Sequence, residues 1–126
     1  MSLEIILSLF EDIKEAIRII NRRFDKIKIP KDFLKDDDGL TSYDAISMRL
    51  QLIGESLKKV DKLDKNFLNR YPEIEWHKIK RMRDFISHHY NEMDEVEVYS
   101  VFKTDLPQLE KVVDKIIQDI NAEGIF

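Results

Sequence analysis

Residues 2–27 read SLEIILSLFEDIKEAIRIINRRFDKI. Ile6, Phe10, Ile13, Ile17, Ile20, Phe24 and Ile27 recur at alternating spacings of four and three. That is a heptad-like apolar stripe, and Lys, Arg, Asp and Glu fill the faces between. The stretch therefore predicts a long amphipathic helix with one buried face. Ser2 is its expected cap. Pro30 is its expected end, because the residue before a proline is pushed out of the α region.

The same period recurs downstream. Lys31–Leu40 is read as a polar connection, with Asp36-Asp37-Asp38-Gly39 as a solvated linker. The Asp run lacks the spacing and the terminal Glu of an EF-hand calcium loop. Thr41 with Asp44 predicts a capping box. The second helix then carries Ile46, Leu50, Ile53, Leu57 and Val60 on one stripe and frays near Asp64. Gly54 lies inside it. A glycine there costs about 1 kcal/mol relative to alanine, which points to a close backbone approach, read as near a dimer interface.

Tyr71-Pro72 breaks the chain. The third helix is expected from near Glu75 to Tyr90 or Met93, with Ile79, Met82, Ile86 and Met93 inward. Glu73 and Glu75 suit its N-terminal dipole. Trp76 and the methionines read as core. Residues 96–102 alternate like a strand, but nothing else in the chain can pair with them, and a lone strand is unstable. They are read as a short helix capped by Asp94, with Glu97 at the third position. Asp105 with Gln108 opens the last helix, and Pro107 is tolerated in its first turn. Leu109, Val112, Val113, Ile116, Ile117 and Ile120 form its apolar face, and Gly124 ends it. The expected architecture is one all-α domain over residues 1–126: an antiparallel up-and-down bundle of four long helices plus one short helix.

Composition narrows the function classes. The chain has 126 residues, 37% of them charged, with a net charge of −4. The charge argues against general polyanion binding but says nothing of one local patch. No cysteine is present, which excludes a thiolate zinc site and a cysteine nucleophile. No apolar run is long enough for a membrane span. The first ten residues lack a basic region and a small-residue cleavage site, so a cytoplasmic protein is expected.

One stretch departs from the acidic background. Trp76–Tyr90 holds Lys78, Lys80, Arg81 and Arg83 against Asp84 alone, a local balance of +3 that leaves −7 elsewhere. All three histidines, His77, His88 and His89, fall within it. A basic patch with imidazoles on an acidic protein suits a phosphate-bearing ligand. A solvated helix face with ordinary ion pairs would show the same composition.

Arg83-Asp84-Phe85-Ile86-Ser87-His88-His89-Tyr90 fits Arg-x4-His-x-Tyr. This resembles the motif of the HepT-like toxins, a branch of the HEPN superfamily. The flanking blocks agree. Residues 43–55, YDAISMRLQLIGE, resemble that family's second-helix signature. Residues 71–76, YPEIEW, resemble its lead-in to the motif helix, and residues 105–109, DLPQL, its last-helix start. The resemblance implies a bundle that dimerises through the motif helices. It implies metal-independent RNA cleavage without a cofactor, as the toxin of a type VII (MNT/HepT) toxin–antitoxin system. It also implies a partner antitoxin, a small MNT-type nucleotidyltransferase that silences the toxin by transferring AMP to the motif tyrosine, here Tyr90. His89 beside His88 leaves two candidates for the acid–base histidine, and Tyr90 favours His88. Asp84 occupies the polar position after the arginine.

The residue types suit that chemistry. RNA can cleave itself when a 2′-OH attacks the adjacent phosphate. A histidine with an ordinary pKa near ~6.5 can move the protons. Arg83 can hold two phosphate oxygens and stabilise developing charge. Tyr90 can orient the phosphate or accept AMP. The 2′-OH requirement excludes DNA as substrate. Arg83 could instead be only an ion-pair partner of Glu75, Glu92 or Asp84, and Tyr90 only a packed ring. At about 100° per residue, His88 lies roughly 140° around a straight helix from Arg83. Either the helix distorts near His88, or two copies build the site across a two-fold axis. The competing reading is a catalytically silent binding or accessory subunit of a nucleotidyltransferase.

Overall fold

The computed structural model describes the backbone of residues 2–89 and 95–123 and the side chains of residues 3–84 and 95–122. The described elements are helical, and no strand occurs among them. Helix α1 spans Ser2–Phe24 and α2 spans Asp37–Leu63. Helix α3 spans Trp76–His89, the short α4 spans Glu95–Ser100, and α5 spans Leu106–Glu123. Four long helices and one short one are thus present, as the periodicity predicts.

The apolar stripes meet in one core. Ile6, Phe10, Ile13, Ile17 and Ile20 of α1 face Ile46, Leu50, Ile53, Leu57 and Val60 of α2, with Leu109, Val113 and Ile116 of α5. Aromatic pairs give the register. Phe10 lies 5.8 Å from Phe67 beyond the end of α2, while Phe24 lies 6.4 Å from Phe33, which in turn meets Tyr43 at 5.2 Å. The end of one helix thus meets the start of the other, so α1 and α2 are antiparallel. Lys14 pairs with Asp114 and Asn21 bonds Glu110, which runs α5 antiparallel to α1.

Four expectations of the sequence are corrected. Helix α1 stops at Phe24, well before Pro30; Ile27 is still buried, but from a turn. The next turn is made by Asp32, whose carboxylate accepts from the Lys28 and Ile29 amides at 2.8 and 3.2 Å. Helix α2 starts at Asp37, and its cap is Asp36, which accepts from the Gly39 amide at 2.8 Å. The aspartate run is therefore a helix start rather than a linker, and Thr41 with Asp44 lies inside the helix. Three carboxylates at this end complement the positive end of the helix dipole. Gly39 is needed there because a Cβ would come 2.1 Å from the Asp32 carbonyl oxygen. Finally, Met48 is 67% exposed and so is no core residue.

Helices α4 and α5 join without a break through a single wide turn of π-helix, Val101–Asp105. Pro107 explains the wide turn. It has no N–H to give the Lys103 carbonyl, and its ring would strike that carbonyl in a regular α-helix. Asp105 thus lies within a continuous helical path rather than opening a new helix. Tyr99 Oη donates to the Lys28 carbonyl at 2.7 Å and fastens this path to the α1–α2 connection. The expected caps at Ser2 and Asp94 and the stop at Gly124 lie outside the described side chains.

Candidate active site

The start of α3 is held by the segment before it. Tyr71 Oη donates to Asp119 of α5 at 2.8 Å. The Trp76 indole N–H, buried, donates to the Tyr71 carbonyl at 2.9 Å. Gln108 donates its amide to the Glu73 carbonyl at 3.1 Å. Residues 71–76 are thus a clamp between α5 and α3, which is why Tyr and Trp stand there, and the Glu73 carboxylate adds an ion pair with Lys115 of α5 at 3.5 Å. Trp76 is core, as expected.

Along its length α3 lies against α2. Lys80 pairs with Asp61, Asp84 with Lys58 at 2.6 Å, and Arg83 with Glu55 at 3.2 Å. Partner numbers rise on one helix as they fall on the other, so the two helices are antiparallel. The helices approach closely at Gly54, where a Cβ would come 2.2 Å from Arg83 Cβ and 2.7 Å from its Cγ. Gly54 therefore serves a close helix–helix contact within the chain. Only hydrogen in place of a side chain lets α2 come up to the root of Arg83.

This contact aims Arg83. Its side chain is 25% exposed. One terminal nitrogen donates to Glu55 at 3.2 Å and the other to Asp84 Oδ1 at 3.1 Å. The same Asp84 oxygen accepts from Lys58 Nζ at 2.6 Å. The Nε is buried and has no partner among the described residues. Hydrogen bonds to Asp84 and Glu55 raise the Arg83 pKa, so the guanidinium is charged at any working pH. Lys58, and then Arg83, hold the Asp84 carboxyl below its usual range. The result is a fixed cation at the α2–α3 seam with its stem packed on glycine. A planar fork of this kind suits two oxygens of a phosphate.

Of the residues singled out in the sequence, Arg83 and Asp84 are placed side by side. His88 and His89 belong to α3, whose α-helical backbone runs unbroken through residue 89, but their side chains lie outside the described residues. Tyr90 lies outside altogether. The α-helical pattern is therefore not interrupted between Arg83 and His88. Of the ion-pair partners considered for Arg83, Asp84 is one, its second carboxylate is Glu55 of α2 rather than Glu75, and Glu92 lies outside the described residues. Glu55 and Lys58 were missed as supports for Arg83. The available signal was Gly54: a glycine at a helix–helix contact places its neighbours one and four residues on around the same contact. No cluster of three His, Cys, Asp or Glu side chains that could hold a metal occurs among the described residues. No helix among them is long and apolar enough to cross a membrane.

Residues 13–116, from the middle of α1 to the last turns of α5, match the Ribonuclease HepT-like family. The chain belongs to that family. Among its relatives, a Methanocaldococcus jannaschii protein provisionally named an RNase is 30% identical over 116 residues, covering 91% of this chain and 86% of the relative. A Thermococcus cleftensis protein provisionally named ribonuclease HepT is 34% identical over 106 residues, covering 84% of this chain and 90% of the relative. A second M. jannaschii protein, whose name joins gamma-glutamylcyclotransferase to an RNase, is 30% identical over 114 residues. This chain spans half of that longer protein. No solved structure gives a significant match. The matched region contains the whole Arg83–Tyr90 motif and the α2 residues that support Arg83.

Proposed function

We propose that this chain is a metal-independent endoribonuclease and the toxin of an MNT/HepT pair, with Arg83, His88 and Tyr90 as its site. The observation that carries the reading is Arg83 itself, a fixed cation at a helix seam within the family's motif. Asp84 and Glu55 each take one N–H and hold its direction, which leaves the remaining terminal N–H groups of the partly exposed fork for a phosphate. In the reaction the 2′-oxygen attacks phosphorus, its proton passes to a basic histidine, and the P–O5′ bond breaks. An acid returns a proton to the leaving 5′-oxygen. The products are a 2′,3′-cyclic phosphate and a 5′-hydroxyl. Arg83 stabilises the charge that grows on the phosphate oxygens. His88 is the acid–base residue, and His89 stands beside it in support.

Positions 83 and 88 of an uninterrupted α-helix lie roughly 140° apart around its axis. The site is therefore composite: two chains dimerise through their motif helices, and Arg83 of one works with His88 of the other. Complementation tests this. Arg83→Ala and His88→Ala are each expected to be inactive, with rates lowered ~10²–10³-fold. Co-expressed, they form mixed dimers with one intact composite site, giving roughly a quarter of wild-type cleavage in EDTA. No recovery in verified mixed dimers would place both residues in one chain's site.

Tyr90 is the proposed AMP acceptor for an MNT-type nucleotidyltransferase partner. Tyr90→Phe keeps the ring and lacks the hydroxyl, so intact-mass spectrometry after co-expression should show no added AMP. A wild-type chain that takes AMP yet cleaves no RNA would instead be the silent acceptor subunit.

A further inference from the structure

Next to Arg83 along the same seam lies an open groove framed by the end of α2, the turn after it and the first turns of α3. Lys62 and Lys65 stand on one side, His77 and Arg81 on the other, and all four are exposed. Two further lysines of the groove are neutralised: Lys80 by Asp61 and Lys78 by Asp105. Lys62, Lys65 and Arg81 have no carboxylate partner among the described residues. Glu75 is the remaining acidic residue of the lining. The groove thus gathers unneutralised positive charge on a chain whose net charge is −4. These side chains add nothing to the core, and their mutual repulsion opposes folding slightly.

Position gives the charge a use. Along α3, Arg81 precedes Arg83 by about 3 Å of helix rise and His77 by about 9 Å. The groove therefore follows the first half of the motif helix and ends at Arg81, while Arg83 lies about 160° around α3 from Arg81, on the side packed against α2. Its apolar floor, Leu68 and Trp76, is buried, so it offers none of the exposed aromatic or aliphatic anchors that centre a protein interface. A backbone of regularly spaced phosphates needs only such a line of cations.

We infer that this groove is a phosphate track that holds single-stranded RNA along the first turns of the motif helix, leading toward the proposed cleavage site. Lys62, Lys65 and Arg81 contact successive backbone phosphates, and the His77 ring offers a face for an unpaired base. The inference rests on the ribonuclease reading for its orientation, while binding tests it separately.

The experiment compares the full-length wild type with Lys62→Gln/Lys65→Gln/Arg81→Gln. The probe is a fluorescent 2′-O-methyl oligoribonucleotide of about twelve nucleotides, which has no nucleophile and cannot be cleaved. Affinity is measured by anisotropy across a series of salt concentrations. Each lost phosphate contact lowers the log–log salt slope by about 0.7, so the variant should lose about 2 in slope and on the order of tenfold or more in affinity at low salt. In cleavage of an unmodified RNA, the variant's KM should rise while kcat stays within about twofold, as for lost uniform binding. Equal affinity and equal slope for the two proteins, with matching melting temperatures, would overturn the track. So would poly-glutamate competing as well as RNA at equal charge, since the groove would then be a general anion surface. Wild type that binds with the expected slope difference but never cleaves would leave the track standing and remove the ribonuclease reading.

Discussion

Gly54→Ala is the sharpest test of how Arg83 is aimed. The new Cβ would lie 2.2 Å from Arg83 Cβ, where ordinary contact begins at 3.4 Å. Both atoms are fixed to helical backbone, so no side-chain rotation relieves the overlap, and α2 and α3 must part by about 1 Å. Overpacking of this kind costs about 1–3 kcal/mol. The better helix propensity of alanine returns about 1 kcal/mol. A net loss near 1 kcal/mol lowers the melting temperature by about 4 °C. Catalysis should suffer more, because a displacement of about 1 Å at a positioning group costs on the order of 10²-fold in rate. Thermal unfolding by circular dichroism and cleavage of a fluorescent RNA in EDTA read the two effects. A third measurement separates the cause. In an Arg83→Ala background the Cβ–Cβ overlap persists, so Gly54→Ala should still lower the melting temperature. A Gly54→Ala protein that melts higher and cleaves like wild type would refute the close approach and the role assigned to it.

At the other glycine contact, Gly39→Ala would press a Cβ to 2.1 Å from the Asp32 carbonyl oxygen and should lower the melting temperature despite the gain in helix propensity. Asp36→Ala removes the α2 cap and should cost about 1 kcal/mol in urea unfolding; no change would return the aspartate run to a linker. Arg83→Lys keeps a charge but loses the planar fork, so cleavage should fall nearly as far as in Arg83→Ala while the fold stays intact, measured by initial rates and melting. Asp84, Asp32 and Glu15 all have native pKa values lowered, Asp84 by Lys58 and Arg83, Asp32 by the Lys28 and Ile29 amides, and Glu15 by Arg18. The unfolded chain then binds more protons as pH drops below about 4, so this stability is present above that pH and is lost as pH falls through the native values. Urea midpoints between pH 7 and pH 2.5 should show the fall, and Asp84→Asn should make it shallower.

Several features were legible in the chain because they are local. A 3.6-residue period needs no partner to be recognised, so the four long helices and the stripes of α1, α2 and α5 follow from spacing, whereas core residues in the connections, such as Phe33, Phe67 and Tyr71, do not. The motif was legible for a related reason. Arg83, Asp84, His88 and Tyr90 lie within eight consecutive residues, and the blocks flanking them are contiguous in sequence.

Tertiary structure decided what depends on contacts between distant segments. The aspartates at 36–38 look like a solvated run until the turn at Pro30–Phe33 folds against Gly39 and leaves Asp36 free to cap α2. Pro107 does lie in the first turn of α5, but only the structure shows that α4 runs on into α5 through a π turn that absorbs its missing hydrogen bond. Gly54 and Arg83 are 29 residues apart, and their contact exists only once α2 and α3 pair antiparallel. That pairing recruits Glu55 and Lys58 to the site, because a charge's partner is set by distance in space, and helix packing rather than sequence separation sets that distance.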